Sequence, residues 1–255
     1  MKRDPNEDQR IALFIDFENL VTRTGLDPDA FDLQPALDVL LEKGKVVYRR
    51  AYADWTRFAG ATKRLHDHGV ELMDVPPSTR AGKNGADVRL VIDALELAYL
   101  REHIDTFVIA SGDSDFCPLA AKLRENDRTV IGMAVRESTS PLFVKACDEF
   151  VYLRTAVQKR RGVGEARERD KTTGKEKEKV VPEVAREAAA AILARATAPV
   201  NPSAIKAAIV RREPDFDERE NGFSSFSRLL EQMEKEGLLR REQGAKGQWY
   251  VLPPA

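Results

Sequence analysis

Ile11-Ala12-Leu13-Phe14-Ile15-Asp16 is a run of apolar residues that stops on a carboxylate. Branched aliphatic and aromatic residues with no polar alternation describe a strand buried on both faces, the habit of parallel sheets covered by helices. The same form returns in Phe107-Val108-Ile109-Ala110-Ser111-Gly112-Asp113-Ser114-Asp115, where two aspartates follow the apolar run. Outward from these two segments, Val46 to Ala53, Val70 to Val75, Thr106 to Ala110, Thr129 to Ala134 and Phe150 to Leu153 also read as strands. Helical stripes fall between them: Leu33, Leu37, Leu40 and Leu41; Val88, Val91, Ile92 and Leu95; Leu119 to Leu123. Strands and helices alternating from residue 11 to about 155 predict an α/β fold, a parallel sheet flanked by helices.

In an open parallel sheet, ligands bind beyond the carboxyl ends of the strands, where the strand order reverses. Asp16 ends the first strand and Asp113 follows the fourth, so both reach that edge if those strands are neighbours. Asp87 opens the helix that starts near Val88, and Asp115 stands at another helix start with Pro118 in its first turn. Helix N-termini favour aspartate through capping and the helix dipole, so Asp87 and Asp115 carry a structural reading beside a chemical one. Carboxylates gathered at one edge repel by roughly 4 kcal/mol per pair at 4 Å and an effective dielectric of 20, and so call for a cation. Hard divalent ions, Mg²⁺ or Mn²⁺, suit oxygen donors and commonly act on phosphate esters.

Asn19, in Asp16-Phe17-Glu18-Asn19, either orients a phosphate or a water or simply satisfies the turn out of the strand. Asp93 lies on a different helical face from Asp87, about 600° further round, and enters only as an assisting residue. The loop before Asp87 carries Arg80, Lys83 and Asn84 with two glycines, which suits a polyanionic substrate or an ordinary surface loop.

The formal net charge of −1 conceals an uneven distribution. Residues 1–158 hold 21 Lys and Arg against 26 Asp and Glu, residues 159–180 hold 9 against 5, and residues 181–255 hold 11 against 11. Total charge therefore does not announce a nucleic-acid binder. Residues 158–180 are nearly free of large apolar side chains and are expected to be a charged linker, a solvated tether or a phosphate-contacting arm. Cys117 and Cys147 have no metal-binding spacing, which predicts a reducing cytoplasmic setting. No run approaches the ~20 apolar residues that cross a bilayer, and the charged start of the chain does not resemble a signal peptide.

From residue 181 the chain regains compact patterning. Pro182 opens an alanine-rich helix expected to reach Ala196, and Asn201-Pro202-Ser203 caps a second expected to reach Arg212. A third is expected from Phe223 to Glu236, then Leu238 to Glu242 and Gln248 to Leu252 as a hairpin around a glycine-containing turn. Three helices and a β-hairpin make a winged helix. Arg211, Arg212, Arg240, Arg241 and Lys246 can contact phosphate, and Trp249 or Tyr250 can stack on a base; the plainer reading puts both aromatics in the core.

Three blocks, Ile15-Asp16-Phe17-Glu18-Asn19, Lys83-Asn84-Gly85-Ala86-Asp87-Val88 with Val91-Ile92-Asp93-Ala94, and Ser111-Gly112-Asp113-Ser114-Asp115-Phe116-Cys117-Pro118, resemble the signatures of the NYN domain. This is the LabA-like branch of the PIN-like nuclease superfamily, and the resemblance covers about residues 10 to 155. It implies a Rossmann-like sheet ordered 3-2-1-4-5 and a divalent-metal ribonuclease, expected as an endonuclease. It further implies that Asp16, Asp87, Asp113 and Asp115 form the catalytic, metal-binding set, with Asn19 and Asp93 assisting. The segment from Asp215-Phe216-Asp217-Glu218 to Gly222-Phe223-Ser224-Ser225-Phe226-Ser227-Arg228-Leu229-Leu230 is similar to the OST-HTH or LOTUS domain. That similarity implies a module recruiting RNA, single-stranded or structured and in some members G-rich, or a protein partner or second copy.

The expected organisation is thus a nuclease domain over 1–157, a linker over 158–180 and a winged-helix domain over 181–255. Arg80, Lys83, Asn84, Arg240, Arg241 and Lys246 are the expected substrate-binding residues. The alternative reading is an RNA-binding regulatory factor with a weak or silent nuclease fold.

Overall fold

The computed structural model describes residues 8–22, 27–75, 85–153, 180–244 and 247–254. Two compact units, Met1–Ala166 and Arg167–Ala255, divide the chain. The expected linker, apart from Val180, lies outside the described residues.

In the first unit, β1 (Gln9–Asp16), β2 (Gly44–Ala53), β3 (Glu71–Asp74), β4 (Thr106–Ala110), β5 (Thr129–Val135) and β6 (Glu149–Leu153) form one sheet ordered β3-β2-β1-β4-β5-β6. Every pairing is parallel. Of the four inner strands, β1, β4 and β5 are the near-continuous apolar runs of the sequence, and from Ile11 to Asp16 and through the whole of β4 every side chain is buried. The edge strands β3 and β6 are less buried, each having a neighbouring strand on one side only. The expected order 3-2-1-4-5 is present and gains β6 beyond β5. β2 begins earlier than its apolar run because Gly44 already pairs with Gln9, and main-chain pairing does not need apolar side chains.

Helices α1 (Phe17–Thr22), α2 (Gln34–Leu41), α3 (Ala59–Asp67), α4 (Gly85–Leu100), α5 (Cys117–Glu125) and α6 (Pro141–Ala146) fill the connections. Numbering runs outward from β1 in one direction and from β4 in the other, so the strand order reverses between these two neighbours. This is the switch point at which an open parallel sheet offers its binding crevice.

The second unit contains α7 (Glu183–Leu193), α8 (Pro202–Val210), α9 (Phe226–Lys235) and an antiparallel hairpin of β7 (Arg240–Gln243) and β8 (Trp249–Leu252). A bridge between Val200 and Val251 ties the hairpin to the α7–α8 connection. Its core gathers Ala185, Ala188, Ile205, Ile209, Leu229 and Met233 with others around them. Two helices stop short of their expected ends, at Leu193 and Val210. The third starts at Phe226, not Phe223, because extended Ser225 caps it by accepting the Arg228 N–H. Phe223 instead turns into the core after Gly222, whose φ of 84° favours glycine.

Candidate active site

Two aromatic anchors set the site. Phe17, directly after Asp16, is fully buried and meets Phe31, Trp55 and Phe58 at 5.4 Å each. Phe116, directly after Asp115, is buried with its ring 6.4 Å from that of Phe143. Each carboxylate-bearing turn is therefore pinned by a neighbour that cannot leave the core without exposing an aromatic surface.

Hydrogen bonds then join the β1 and β4 ends. The Ser111 hydroxyl donates to Asp16 Oδ2 at 2.9 Å, and the Asn19 N–H donates to Asp16 Oδ1 at 3.2 Å. The Asn19 side chain spans the gap, its Nδ2 donating to Asp113 Oδ2 at 3.4 Å and its Oδ1 accepting from the Gly112 N–H at 3.3 Å. Ser111 Oγ also accepts from the Asp113 N–H at 3.3 Å. Asp113 Oδ1 takes the Asp115 N–H at 3.1 Å, so the cap on the 3₁₀ turn Ser114–Phe116 is Asp113 itself.

The loop admits little else. Ser140 N–H donates to Gly112 O at 2.9 Å, and a Cβ at position 112 would stand 2.5 Å from the Ser138 carbonyl oxygen.

Asp16 is only 4% exposed. Burial first, and the charge of Asp87 second, push its carboxyl up to about 7; Asp113 adds to the rise, while the Asn19 and Ser111 bonds oppose it. Asp87 is half-buried in the first turn of α4, Asp113 is half-buried, and Asp115 is exposed. Asp16, Asn19 and Asp113 are thus joined by hydrogen bonds, Asp87 by its field at Asp16, and Asp115 through its backbone.

Asp93 stands in another setting. Its carboxylate accepts from Tyr52 Oη and Arg50 Nη1, both at 2.9 Å, and from Arg89 Nε at 3.0 Å. These contacts fasten α4 to β2.

Arg80, Lys83, Asn84 and Lys246 lie outside the described residues. Arg241 is engaged by Glu234 at 2.8 Å and lies against the Trp249 ring at 5.1 Å, while exposed Arg240 donates to the Pro253 carbonyl. Trp249 is 49% exposed and so does not belong to the core, contrary to the plainer reading; Tyr250 is half-buried.

Two residues escaped the sequence reading. Ser111 is fully buried and bonded to Asp16, and its only signal was a hydroxyl directly after the β4 apolar run. Asp54, buried just past the end of β2 on the same sheet edge, accepts the Thr56 hydroxyl and N–H. Its position after Tyr52-Ala53 repeats the strand-end carboxylate pattern of Asp16.

Among the described residues, no three of the His, Cys, Asp or Glu side chains are gathered closely enough to hold a metal ion. Mg²⁺, however, is commonly bound through one or two carboxylates with water and substrate phosphate completing its shell. The donor chemistry fits such an ion, because a buried carboxylate whose neighbours are carboxylates gains most from a cation. Cys117 and Cys147 are both free, and burial raises both thiols, Cys147 the more deeply, which disfavours a thiolate nucleophile.

Comparison with known proteins bears on this geometry. A family model described as NYN domain matches residues 10–154. An uncharacterized protein of Methanocaldococcus jannaschii is 27% identical over 161 residues, 60% of this chain and 62% of that protein, so the chain spans less than two thirds of that relative. A solved structure from Vibrio parahaemolyticus RIMD 2210633, of a protein of unknown function, is 23% identical with a TM-score of 0.48, covering 60% of this chain and 97% of that one.

Proposed function

The chain belongs to the NYN domain family, whose members are typically nucleases, and from that membership we propose that it is a divalent-metal-dependent ribonuclease cutting RNA phosphodiester bonds internally. The observation that carries this reading is buried Asp16, raised by burial and by Asp87 and Asp113 at the switch point of the sheet. Asp16 and Asp113 are the carboxylates that would hold Mg²⁺ or Mn²⁺ directly, with Asp87 and Asp115 acting on it through water. When bound, such an ion lowers the pKa of water and neutralises charge on phosphoryl oxygens.

The chain's own residues do the rest. Asn19 holds Asp113 and the Gly112 N–H in register with Asp16, so the two strand ends act as one rigid platform. Ser111 fixes the Asp16 carboxylate from the β4 side, leaving few rotamers for it to lose on binding. No side chain is required as a covalent nucleophile. Arg80, Lys83 and Asn84, preceding Asp87 in sequence, are assigned to the RNA backbone. The second unit is read as an OST-HTH or LOTUS winged helix that recruits RNA or a protein partner, including a second copy, with Arg240, Arg241 and Lys246 assigned to substrate binding. Two free cysteines agree with a cytoplasmic site of action. Among the described residues no helix is long and apolar enough to cross a membrane.

The test is to incubate the purified protein with labelled single-stranded and structured RNA, and with DNA of the same sequence, in Mg²⁺, in Mn²⁺ and in EDTA. Metal-dependent shortening of RNA with internal products supports the proposal. Tight RNA binding with no cleavage in either metal would favour the RNA-binding regulatory factor instead.

A further inference from the structure

A cavity of about 530 Å³ opens between α7 and α8, lined by Ala191, Ile192, Ala208, Arg195, Arg211 and Arg212. Helix C-termini attract cations because their last carbonyls carry partial negative charge. Arg212 fits that account, since its Nη1 lies 3.5 Å from the Ala208 carbonyl oxygen. Arg195 and Arg211 do not. Among the described residues neither side chain makes an ion pair or a hydrogen bond, and both are exposed, lining the cleft together with Ala191, Ile192 and Ala208. Glu213, beside Arg212 in sequence, pairs with none of the three among the described residues.

Arginines whose side chains have no partner among the described residues and that line one concave surface favour an anion. Their planar forks match phosphate oxygens in pairs, and the apolar lining can cover the side-chain stems. The same unit exposes Trp249, backed by the Arg241 guanidinium at 5.1 Å, which offers a surface on which a base can stack. Phosphate grips together with a stacking aromatic are the two features a single-stranded nucleic acid needs. We infer that the α7–α8 cleft binds backbone phosphate of single-stranded RNA through Arg195, Arg211 and Arg212, the choice of RNA over DNA resting on the ribonuclease reading.

The experiment measures binding of a fluorescent single-stranded RNA to the full chain by anisotropy, in EDTA so that no metal-dependent cleavage intervenes, over a series of salt concentrations. Arg195→Gln/Arg211→Gln spares Arg212 and its contact with Ala208. It is compared with wild type and with Arg219→Gln/Lys235→Gln, which removes the same charge elsewhere in the unit, and circular dichroism checks that each variant is folded. Each phosphate contact to a single strand contributes roughly 0.7 to the slope of log affinity against log salt. The cleft pair should therefore lose about 1.4 of slope and about tenfold in affinity near 0.15 M salt, with the control pair near wild type.

The inference is overturned by an unchanged slope, by equal losses in the control pair, or by a wild type that does not bind RNA. Stronger competition from poly-glutamate than from unlabelled RNA would also overturn it, reassigning the cleft to acidic peptide. A chain that binds RNA through these arginines and yet never cuts it would leave the cleft standing while the nuclease reading falls.

Discussion

At the scale of single residues, Asp16 is a carboxylate held at a cost to the fold and the one that the proposed chemistry most needs. Its carboxyl is raised to about 7 in the folded protein, against about 4 in the unfolded chain. Between those values the native state binds the extra proton, so stability falls as pH rises from about 4 to about 7 and is flat beyond. Three units correspond to on the order of 4 kcal/mol, with burial the larger cause and Asp87 the next. Asp16→Asn should therefore raise the melting temperature of the metal-free protein by at least about 5 °C at pH 8, and the gain should shrink toward pH 4. A melting temperature that falls at every pH would show that the carboxylate is not strained. Asn19→Ala should leave the fold intact but reduce metal-dependent cleavage by about 10- to 100-fold, the usual cost of losing a residue that orients a ligand. Steady-state cleavage at saturating Mn²⁺, beside a circular dichroism spectrum, checks this.

At the scale of elements, α4 contributes two aspartates to different tasks. Asp87, in its first turn, faces the field of Asp16, whereas Asp93 is buried against Arg50, Arg89 and Tyr52. Asp93→Asn should destabilise the first unit by about 2–3 kcal/mol in urea, because Arg50 would lose a buried partner. Cleavage per folded molecule should stay close to wild type, and a selective loss of activity would move Asp93 into the chemistry. Gly112→Ala should be damaging in another way, since its Cβ meets the Ser138 carbonyl and must displace the loop that carries Asp113.

β1, β4 and β5 were readable because a strand buried on both faces writes its burial as a near-continuous apolar run, and Asp16 and Asp113 stood out at the ends of two of them. The angle between Asp87 and Asp93 on a helix was readable too. What Asp93 touches was not, because Arg50 and Tyr52 lie on β2, more than forty positions away, and only the sheet register brings them beside α4. Ser111 was hidden for the same reason, its partner Asp16 being 95 positions distant. The late start of α9 depended on one serine cap and one glycine turn, local details that a periodic stripe through Phe226 does not carry.

At the scale of the whole molecule, two compact units divide the work proposed for the chain. Deleting residues 181–255 should leave metal-dependent cleavage in the first unit and raise KM for RNA, because the proposed catalytic carboxylates all precede residue 158. Loss of turnover at saturating RNA would instead make the second unit part of the catalytic apparatus. The central claim remains that the carboxylates at the β1–β4 switch point carry the reaction. The most direct measurement compares wild type with Asp16→Asn/Asp113→Asn for cleavage of labelled single-stranded RNA at saturating Mn²⁺, with circular dichroism confirming that both are folded. The account predicts cleavage by wild type and a loss of at least about a thousandfold, roughly 4 kcal/mol of transition-state stabilisation, in the variant. Equal cleavage by the two folded proteins would contradict it.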